Sequence, residues 1–506
     1  MTTFPALTRL PHALLALAIV ASGALAQPAN DAERKAGEAK PQRSVLRLLP
    51  GDSVTRHAVE TPAGRLEYTA TAGTLSLFDQ SGERTAAIFY TSYVAGDGPP
   101  EKRPVTFVFN GGPGAASAYL HLGLVGPRVA EFGASGHQAS ATRLHDNPHT
   151  WLSFTDLVII DPVGSGWSRP AKADGGKDFW GVGSDAESLA KTIALWLANN
   201  RRSASPRFIL GESYGGFRAA KVARALQRTQ GISVSGIVMV SPLLEGALTF
   251  GGTRFALGAA MQLPSLAAAN LERKREFSKE RLAEAERFAF AEYLTTLAGP
   301  RPTGEAARAF YAKVADFTGL PVAVLARARG FIRDSYIKNL RASEGKIVSR
   351  YDATFTAPDP YPEQRRPRGP DPLLDGITRA YGGAFAVYAR DELGFKTEMT
   401  YVLLSSRANN SWDWGEGGSR ATASVDGDLR ALLSLDPSFR LLVAHGYSDM
   451  VTPYSASRYV LDHLPDMGHP ARAQLRVYRG GHMFYLDTGS RRDFSADARA
   501  FYHAEP

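Results

Sequence analysis

Residues 208–216 read FILGESYGG and run straight into FRAAKVARALQ. A short apolar run, a serine held between two glycines and a helix-like segment constrain the backbone here more tightly than anywhere else in the chain. They describe a strand that turns sharply into a helix with Ser213 at the turn, a strained position where Gly211 and Gly215 leave room for the two elements to cross. Such a turn raises a hydroxyl at the open end of a sheet, where it serves as a nucleophile. Glu212 is the awkward neighbour. A carboxylate beside a serine that must carry negative charge past it needs a purpose of its own.

The flanking segments supply the sheet that such a turn requires. VTFVFN (105–110), DLVIID (156–161), RFIL and GIVMVSP are short apolar runs of the kind buried on both faces, and ESLAKTIALWLANN and FRAAKVARALQ are helical between them. FRLLVAHG and LRVYRGG are two further strands flanking the helical SASRYVLDHL. This alternation predicts an α/β fold with a mostly parallel, doubly wound sheet whose ligand groups gather at the carboxyl edge. RLEYTATA, TLSLFD and AAIFYTSYVA, separated by AG and QSGE, predict an antiparallel start over Ser53 to Ala95. Between 245 and 437 the rhythm changes to long helical runs and the Pro-rich APDPYPEQRRPRGPDP. We read this as a largely helical lid or cap inserted between two parts of the core, 53–244 and 438–506.

Composition bounds the function classes. Of 506 residues, 44% are hydrophobic and 21% charged, as expected of a chain able to bury a large core. The net charge of +8 comes from scattered cations rather than a basic arm with interleaved aromatics, so nucleic-acid binding is not expected. There is no cysteine, which excludes a thiol nucleophile, thiolate metal sites and disulfides. Residues 1–26 combine Arg9, an apolar stretch from Ala13 to Val20 and Ala24-Leu25-Ala26. They read as a signal peptide cut before Gln27, followed by a mobile lead-in over 27–52. A soluble protein exported to the periplasm or secreted, without a membrane anchor, is the expectation.

Four stretches fall at predicted strand ends: NGGPGAAS (110–117), GESYG (211–215), GYSDMVTP (446–453) and GGHMFYL (480–486). They offer Ser213, Asp449 and His482 in the chain order of the α/β-hydrolases. In that chemistry serine attacks a carbonyl, histidine takes and returns the proton, and aspartate fixes the imidazole. Asp426 and Asp428 compete for the aspartate role but follow no buried strand. His445 and His463 compete for the histidine role, and His445 fits better in the core behind the site. The glycine-rich turn at 110–114 can aim backbone N–H groups at a developing oxyanion, with Tyr214 supplying the second donor. DPVGSGWS (161–168) lacks the spacing of a phosphate loop and reads as support or pocket wall.

Taken together, NGGPG, DPVGSGWS, GESYGG, the late Asp-x-x-x-Pro and the final Gly-His resemble the serine carboxypeptidases, in their bacterial branch. The resemblance implies an exopeptidase acting on peptides with a free C-terminus, without metal or organic cofactor. It further implies Ser213, Asp449 and His482 as the triad and the amides of Gly112 and Tyr214 as the oxyanion hole. Asn110, Glu212 and the amide of Gly111 would hold the substrate's terminal carboxylate. Two departures stand out: Ala115-Ala116 replaces the family's Cys-Ser, and Gly446-Tyr447 its Gly-Asp. An acyltransferase or esterase on the same scaffold, a prolyl aminopeptidase-like hydrolase and an inactive binding protein are the competing readings.

Overall fold

The computed structural model describes residues 44–96, 98–131, 142–415, 418–468 and 472–504. The signal peptide expected over 1–26, and the part of the lead-in up to residue 43, lie outside the described residues. The last part of the lead-in is tied down: residues 45–48 form a 3₁₀ turn with Leu46 buried, and Ser44 Oγ donates to the Ala171 carbonyl.

The main sheet opens with three antiparallel strands, β1 (Ser53–Thr61), β2 (Gly64–Phe78) and β3 (Arg84–Ala95). Next in chain order come β4 (Val105–Phe109), β5 (Asp156–Ile160), β6 (Arg207–Glu212), β7 (Gly236–Val240), β8 (Arg440–Gly446) and β9 (Ala473–Tyr478). Their spatial order is β1-β2-β3-β5-β4-β6-β7-β8-β9, with the two-residue strand Arg169–Pro170 added on β3. From β5 to β9 every pairing is parallel.

Two runs expected as separate strands, RLEYTATA and TLSLFD, are one strand, β2. The Ala-Gly between them is not a turn. Gly73 stays in register opposite Tyr90, because the Asp52 carboxylate packs where a Cβ would stand and accepts the Thr74 N–H at 3.0 Å.

Alternate residues of the parallel strands point to opposite faces, as a pleated strand requires. Phe208, Leu210, Val238 and Val240 enter one apolar cluster, and Phe107, Ile209, Ile237 and Met239 the other. Helices α1 (Val182–Asn199) and α2 (Tyr214–Ala225) cover the second face. The strands are apolar throughout because both sides are covered.

Between β7 and β8 no residue joins the main sheet among those described. Helices α3 (Gly246–Phe250) and α4 (Ala256–Lys274) lead into α5 (Lys279–Phe288), α6 (Gly304–Thr318) and α7 (Arg333–Asn339). The long helical run expected around 266–298 breaks at Arg275, which takes a left-handed conformation (φ 61°) before Ser278 caps α5. From α4 to α7 these helices share a core of their own, around Phe288, Tyr293 and Phe310, whereas Leu248 of α3 joins the second sheet cluster. The later helix α8 (Leu374–Asp391) behaves differently, since its Tyr381, Phe385 and Tyr388 sit in the first sheet cluster with Phe89 and Trp167. The segment 245–437 is therefore part separate core and part sheet covering. Three further helices, α9 (Asp426–Leu435), α10 (Tyr454–Asp462) and α11 (Thr488–His503), complete the layers. No helix among the described residues is long and apolar enough to cross a membrane.

The crossing of β6 and α2 leaves no space for side chains at its glycines. A Cβ on Gly211 would lie 1.9 Å from the Gly215 carbonyl oxygen. Gly211→Ala should destabilise the fold by about 3 kcal/mol or more, since backbone rather than a movable side chain is in the way. Gly383→Ala, exposed in α8 with open space around it, should instead stabilise by roughly 0.5–1 kcal/mol. Denaturant midpoints of the two variants check both signs.

Candidate active site

Ser213 stands at the end of β6 with φ 61° and ψ −124°, a region that non-glycine residues rarely occupy. Backbone bonds on both sides hold it there. Its N–H donates to the Val240 carbonyl at 2.9 Å, and its carbonyl accepts from Leu243 N at 3.1 Å and Gly216 N at 3.0 Å. The Ser213 side chain opens into a cavity of about 800 Å³ that His482, Glu212, Asn110 and Tyr214 also line. Among the described residues no hydrogen bond joins Ser213 Oγ to His482; catalytic hydrogen bonds often tighten only when substrate is present.

Asp449 and His482 meet at the carboxyl ends of β8 and β9. His482 Nδ1 lies 2.9 Å from Asp449 Oδ2, and both residues are buried. Asp449 Oδ1 accepts the N–H groups of Val451 and Thr452 at 2.8 and 3.0 Å, and the Thr452 hydroxyl lies 2.9 Å from Oδ2. Burial alone would raise the Asp449 pKa, but the charge and hydrogen bond of His482, with the His445 imidazole close by, hold it well below the usual carboxylate range. Burial lowers the His482 pKa, and the Asp449 charge outweighs this and leaves it raised. An ionised aspartate fixing the imidazole through Nδ1–H leaves Nε2 as the free base. The loop carrying His482 is pinned by Ser241 Oγ donating to its carbonyl (2.8 Å) and by its own N–H donating to the Tyr351 carbonyl (2.6 Å).

The rivals for these roles sit elsewhere. Asp426 and Asp428 pair with Arg430 and Lys221 at the start of α9. His463 Nδ1 contacts the Tyr459 carbonyl on an exposed turn. His445 is buried behind the site, with Nε2 2.8 Å from Ser457 Oγ and Nδ1 3.8 Å from Asp449 Oδ2.

Gly111, Gly112 and Asn110 follow β4, beside the serine turn. Gly111 packs against the backbone of Glu212 and Tyr214, where a Cβ would lie 2.6 Å from the Tyr214 nitrogen. Gly112 has φ +99°, which favours glycine. The loop is held from several sides. Ser405 N donates to the Gly114 carbonyl and Ala116 N to the Leu403 carbonyl, so backbone bonds secure Ala115 and Ala116, where the resembling family has Cys-Ser. Asp161, from DPVGSGWS, accepts the Ser117 N–H at 2.8 Å, which gives that loop its supporting role.

Glu212 is buried, and its Oε2 accepts from Asn110 Nδ2 at 2.6 Å and from Tyr485 OH at 2.9 Å. Burial pushes its pKa up to about 7, against the pull of His482 and of these two donors. The carboxyl is thus poised to hold or release a proton near neutrality. Asn110 is fixed in turn by its Oδ1 accepting Leu120 N at 3.0 Å, and by Arg218, which donates to its carbonyl. Tyr485, Arg218 and Thr452 were not legible as site residues.

The doubly wound sheet, with the serine turn after a buried strand and the Asp–His pair at the later strand ends, has the α/β-hydrolase fold. Kex1(Δ)p, a prohormone-processing carboxypeptidase from Saccharomyces cerevisiae, has the same fold, with a TM-score of 0.54 and 15% identity over 90% of this chain and 94% of that one. Residues 65–253 match the model of the serine carboxypeptidase family. Serine carboxypeptidase-like 44 of Arabidopsis thaliana is 28% identical over 169 residues, 31% of this chain and 33% of that protein. The pheromone-processing carboxypeptidase KEX1 of Yarrowia lipolytica is 29% identical over 150 residues, 29% of this chain and 23% of that protein. The chain thus spans a third or less of the length of these two relatives.

The Arg218–Asp185 pair beneath Asn110 is buried, with Nε to Oδ2 at 2.6 Å. Arg218→Leu should cost about 3–5 kcal/mol, because it strands the Asp185 charge, whereas Asp185→Leu/Arg218→Leu should recover much of that loss. Chemical denaturation of the three proteins measures the difference.

Proposed function

We propose that this protein is a serine carboxypeptidase. Ser213 Oγ attacks the carbonyl carbon of the last peptide bond while His482 Nε2 takes its proton, with Asp449 stabilising the imidazolium. The N–H groups of Gly112 and Tyr214 receive the oxyanion. The tetrahedral intermediate collapses as His482 protonates the departing amine, which leaves an acyl group on Ser213. Water then attacks this ester with His482 again as base, releasing the shortened peptide and restoring the serine. The helical part of the segment 245–437 that has a core of its own acts as the lid over this cavity.

The observation that carries the carboxypeptidase reading is the Asn110–Glu212 hydrogen bond on the wall of the cavity that holds Ser213. An esterase has no need of a buried carboxyl there. A substrate ending in a carboxylate does, provided one proton is shared between the two groups, since a close carboxylate pair cannot both ionise. Asn110 Nδ2 and the Gly111 N–H supply the donors, and protonated Glu212 donates the shared proton. The family match over 65–253 and the names of the relatives support the same activity.

The sign of the pH dependence follows. His482 must be neutral to act as base, so activity falls on the acid side. Glu212 must be protonated to accept a terminal carboxylate, so activity on free-acid peptides falls as pH rises through about 7. For an N-blocked dipeptide, kcat/KM should fall on the alkaline side, and the corresponding C-terminal amide should be a poor substrate lacking that fall. Glu212→Gln should remove the alkaline decline, and Ser213→Ala should lower kcat by about 10⁴-fold or more. A free-acid profile rising to pH 9 in both the parent and Glu212→Gln contradicts the reading. Hydrolysis of unblocked peptides from the amino end, or of simple esters alone, would assign the site to an aminopeptidase or an esterase.

A further inference from the structure

The cavity that holds Ser213 is lined by three arginines, Arg333, Arg350 and Arg420, all from the segment between β7 and β8. Two of them share one aromatic platform. The guanidinium carbons of Arg333 and Arg420 lie 5.9 and 5.2 Å from the centre of the Phe250 ring. Neither makes an ion pair among the described residues, and Arg350 has only a 3.9 Å contact with Asp371. Against these cations the described cavity wall offers the exposed Asp334, the buried carboxyl of Glu212 and the imidazole of His482.

Arg333 is half-buried, and burial lowers its pKa, opposed by Asp334, with Arg350 and Arg420 lowering it further and Asp449 raising it. The same cavity wall carries Ser213 and His482. An arginine remains charged under any such shift. Guanidinium groups without carboxylate partners, at the wall of a cavity, are donors waiting for an acceptor, and their planar fork suits a carboxylate.

The fold also sets which side of the scissile bond they face. In the sheet Ser213, at the end of β6, lies between β4 and β7. Asn110, which holds Glu212, follows β4. Phe250 belongs to the chain that leaves β7, where Leu243 N donates to the Ser213 carbonyl, and the Arg420 carbonyl abuts Gly246 at the start of the same helix. Phe250, with Arg333 and Arg420 over its ring, therefore lies on the chain leaving the β7 side of the serine, and Asn110 on the β4 side.

We propose that Arg333 and Arg420 on Phe250, with Arg350, form an acidic-residue subsite, so that the protein favours peptides with Glu or Asp on the acyl side of the bond it cleaves. This assignment rests on the carboxypeptidase reading for which end of the peptide departs.

The test compares N-blocked dipeptides that differ only in the acyl-side residue, Glu, Gln, Leu or Lys, at a pH where the Glu side chain is ionised. The kcat/KM ratio of Glu to Gln should be about tenfold or more, as a charge-assisted pair warrants, and should shrink with added salt. Arg333→Gln should bring that ratio close to one, and Arg333→Glu should shift preference toward Lys. Each ratio is internal to one protein, so the amount correctly folded cancels. Calorimetric binding of the Glu and Gln peptides to Ser213→Ala reads the same preference without turnover. Equal handling of Glu and Gln by the parent overturns the proposal. So does a ratio unmoved by Arg333→Gln, or a loss in that variant of free-acid over amide preference, which would mean the arginines hold the terminal carboxylate. If no peptide is hydrolysed, the carboxypeptidase reading fails, and the binding ratio still decides whether the subsite selects acids.

Discussion

The close approach of three backbone segments at the ends of β4, β6 and β7 is the constraint on which the rest depends. Gly111 lies against the backbone of Glu212 and Tyr214, Gly211 against Gly215, and Ser213 is bonded to Val240. No arrangement with side chains at those glycines allows strand and helix to cross so tightly. The crossing forces Ser213 to φ 61°, where its hydroxyl stands clear of the helix it begins. It also brings Asn110 and Glu212, distant in sequence, within 2.6 Å of each other. Geometry suited to a nucleophile and geometry suited to a carboxylate grip thus come from one packing requirement.

Electrostatics divides the acids and bases around this point. Asp449 and Glu212 are both buried carboxyls near His482, yet their pKa values move apart. Asp449 accepts two backbone N–H groups as well as His482, and stays ionised. Glu212 has only Asn110 and Tyr485, and burial wins. Two carboxyls with opposite tendencies in one site are a familiar mark of divided acid–base roles. The structure thereby answers why a carboxyl can sit beside the serine: at neutral pH and below it carries its charge only in part.

Much of this was legible in the sequence, because strong local signals carried it. The parallel strands were visible as short apolar runs, since both faces are covered. GESYG announced its turn through the glycines. What escaped were features set by tertiary contact. The Ala-Gly inside β2 has the composition of a turn, but the Asp52 carboxylate twenty-one residues earlier takes up the space beside Gly73 and keeps the strand straight. Helix α8 was read with the lid because it lies in the insertion, although its aromatic residues pack beneath the sheet with Trp167. Tyr485 follows His482 by three residues within GGHMFYL, but nothing in that stretch pairs it with Glu212, so the bond emerges only when the loop is folded. Arg333, Arg350 and Arg420 are scattered over nearly ninety positions and read as surface charge; only folding gathers them on one cavity.

The central claim is that Glu212 shares a proton with the terminal carboxylate of a peptide. Proton uptake on binding tests it most directly. Calorimetry of a free-acid peptide with Ser213→Ala at about pH 8, in buffers of different ionisation enthalpy, counts the protons exchanged. The account predicts uptake approaching one proton for the free acid, little for its C-terminal amide, and none for either in Ser213→Ala/Glu212→Gln. Binding of the free acid without proton uptake, or with the same uptake as the amide, contradicts it.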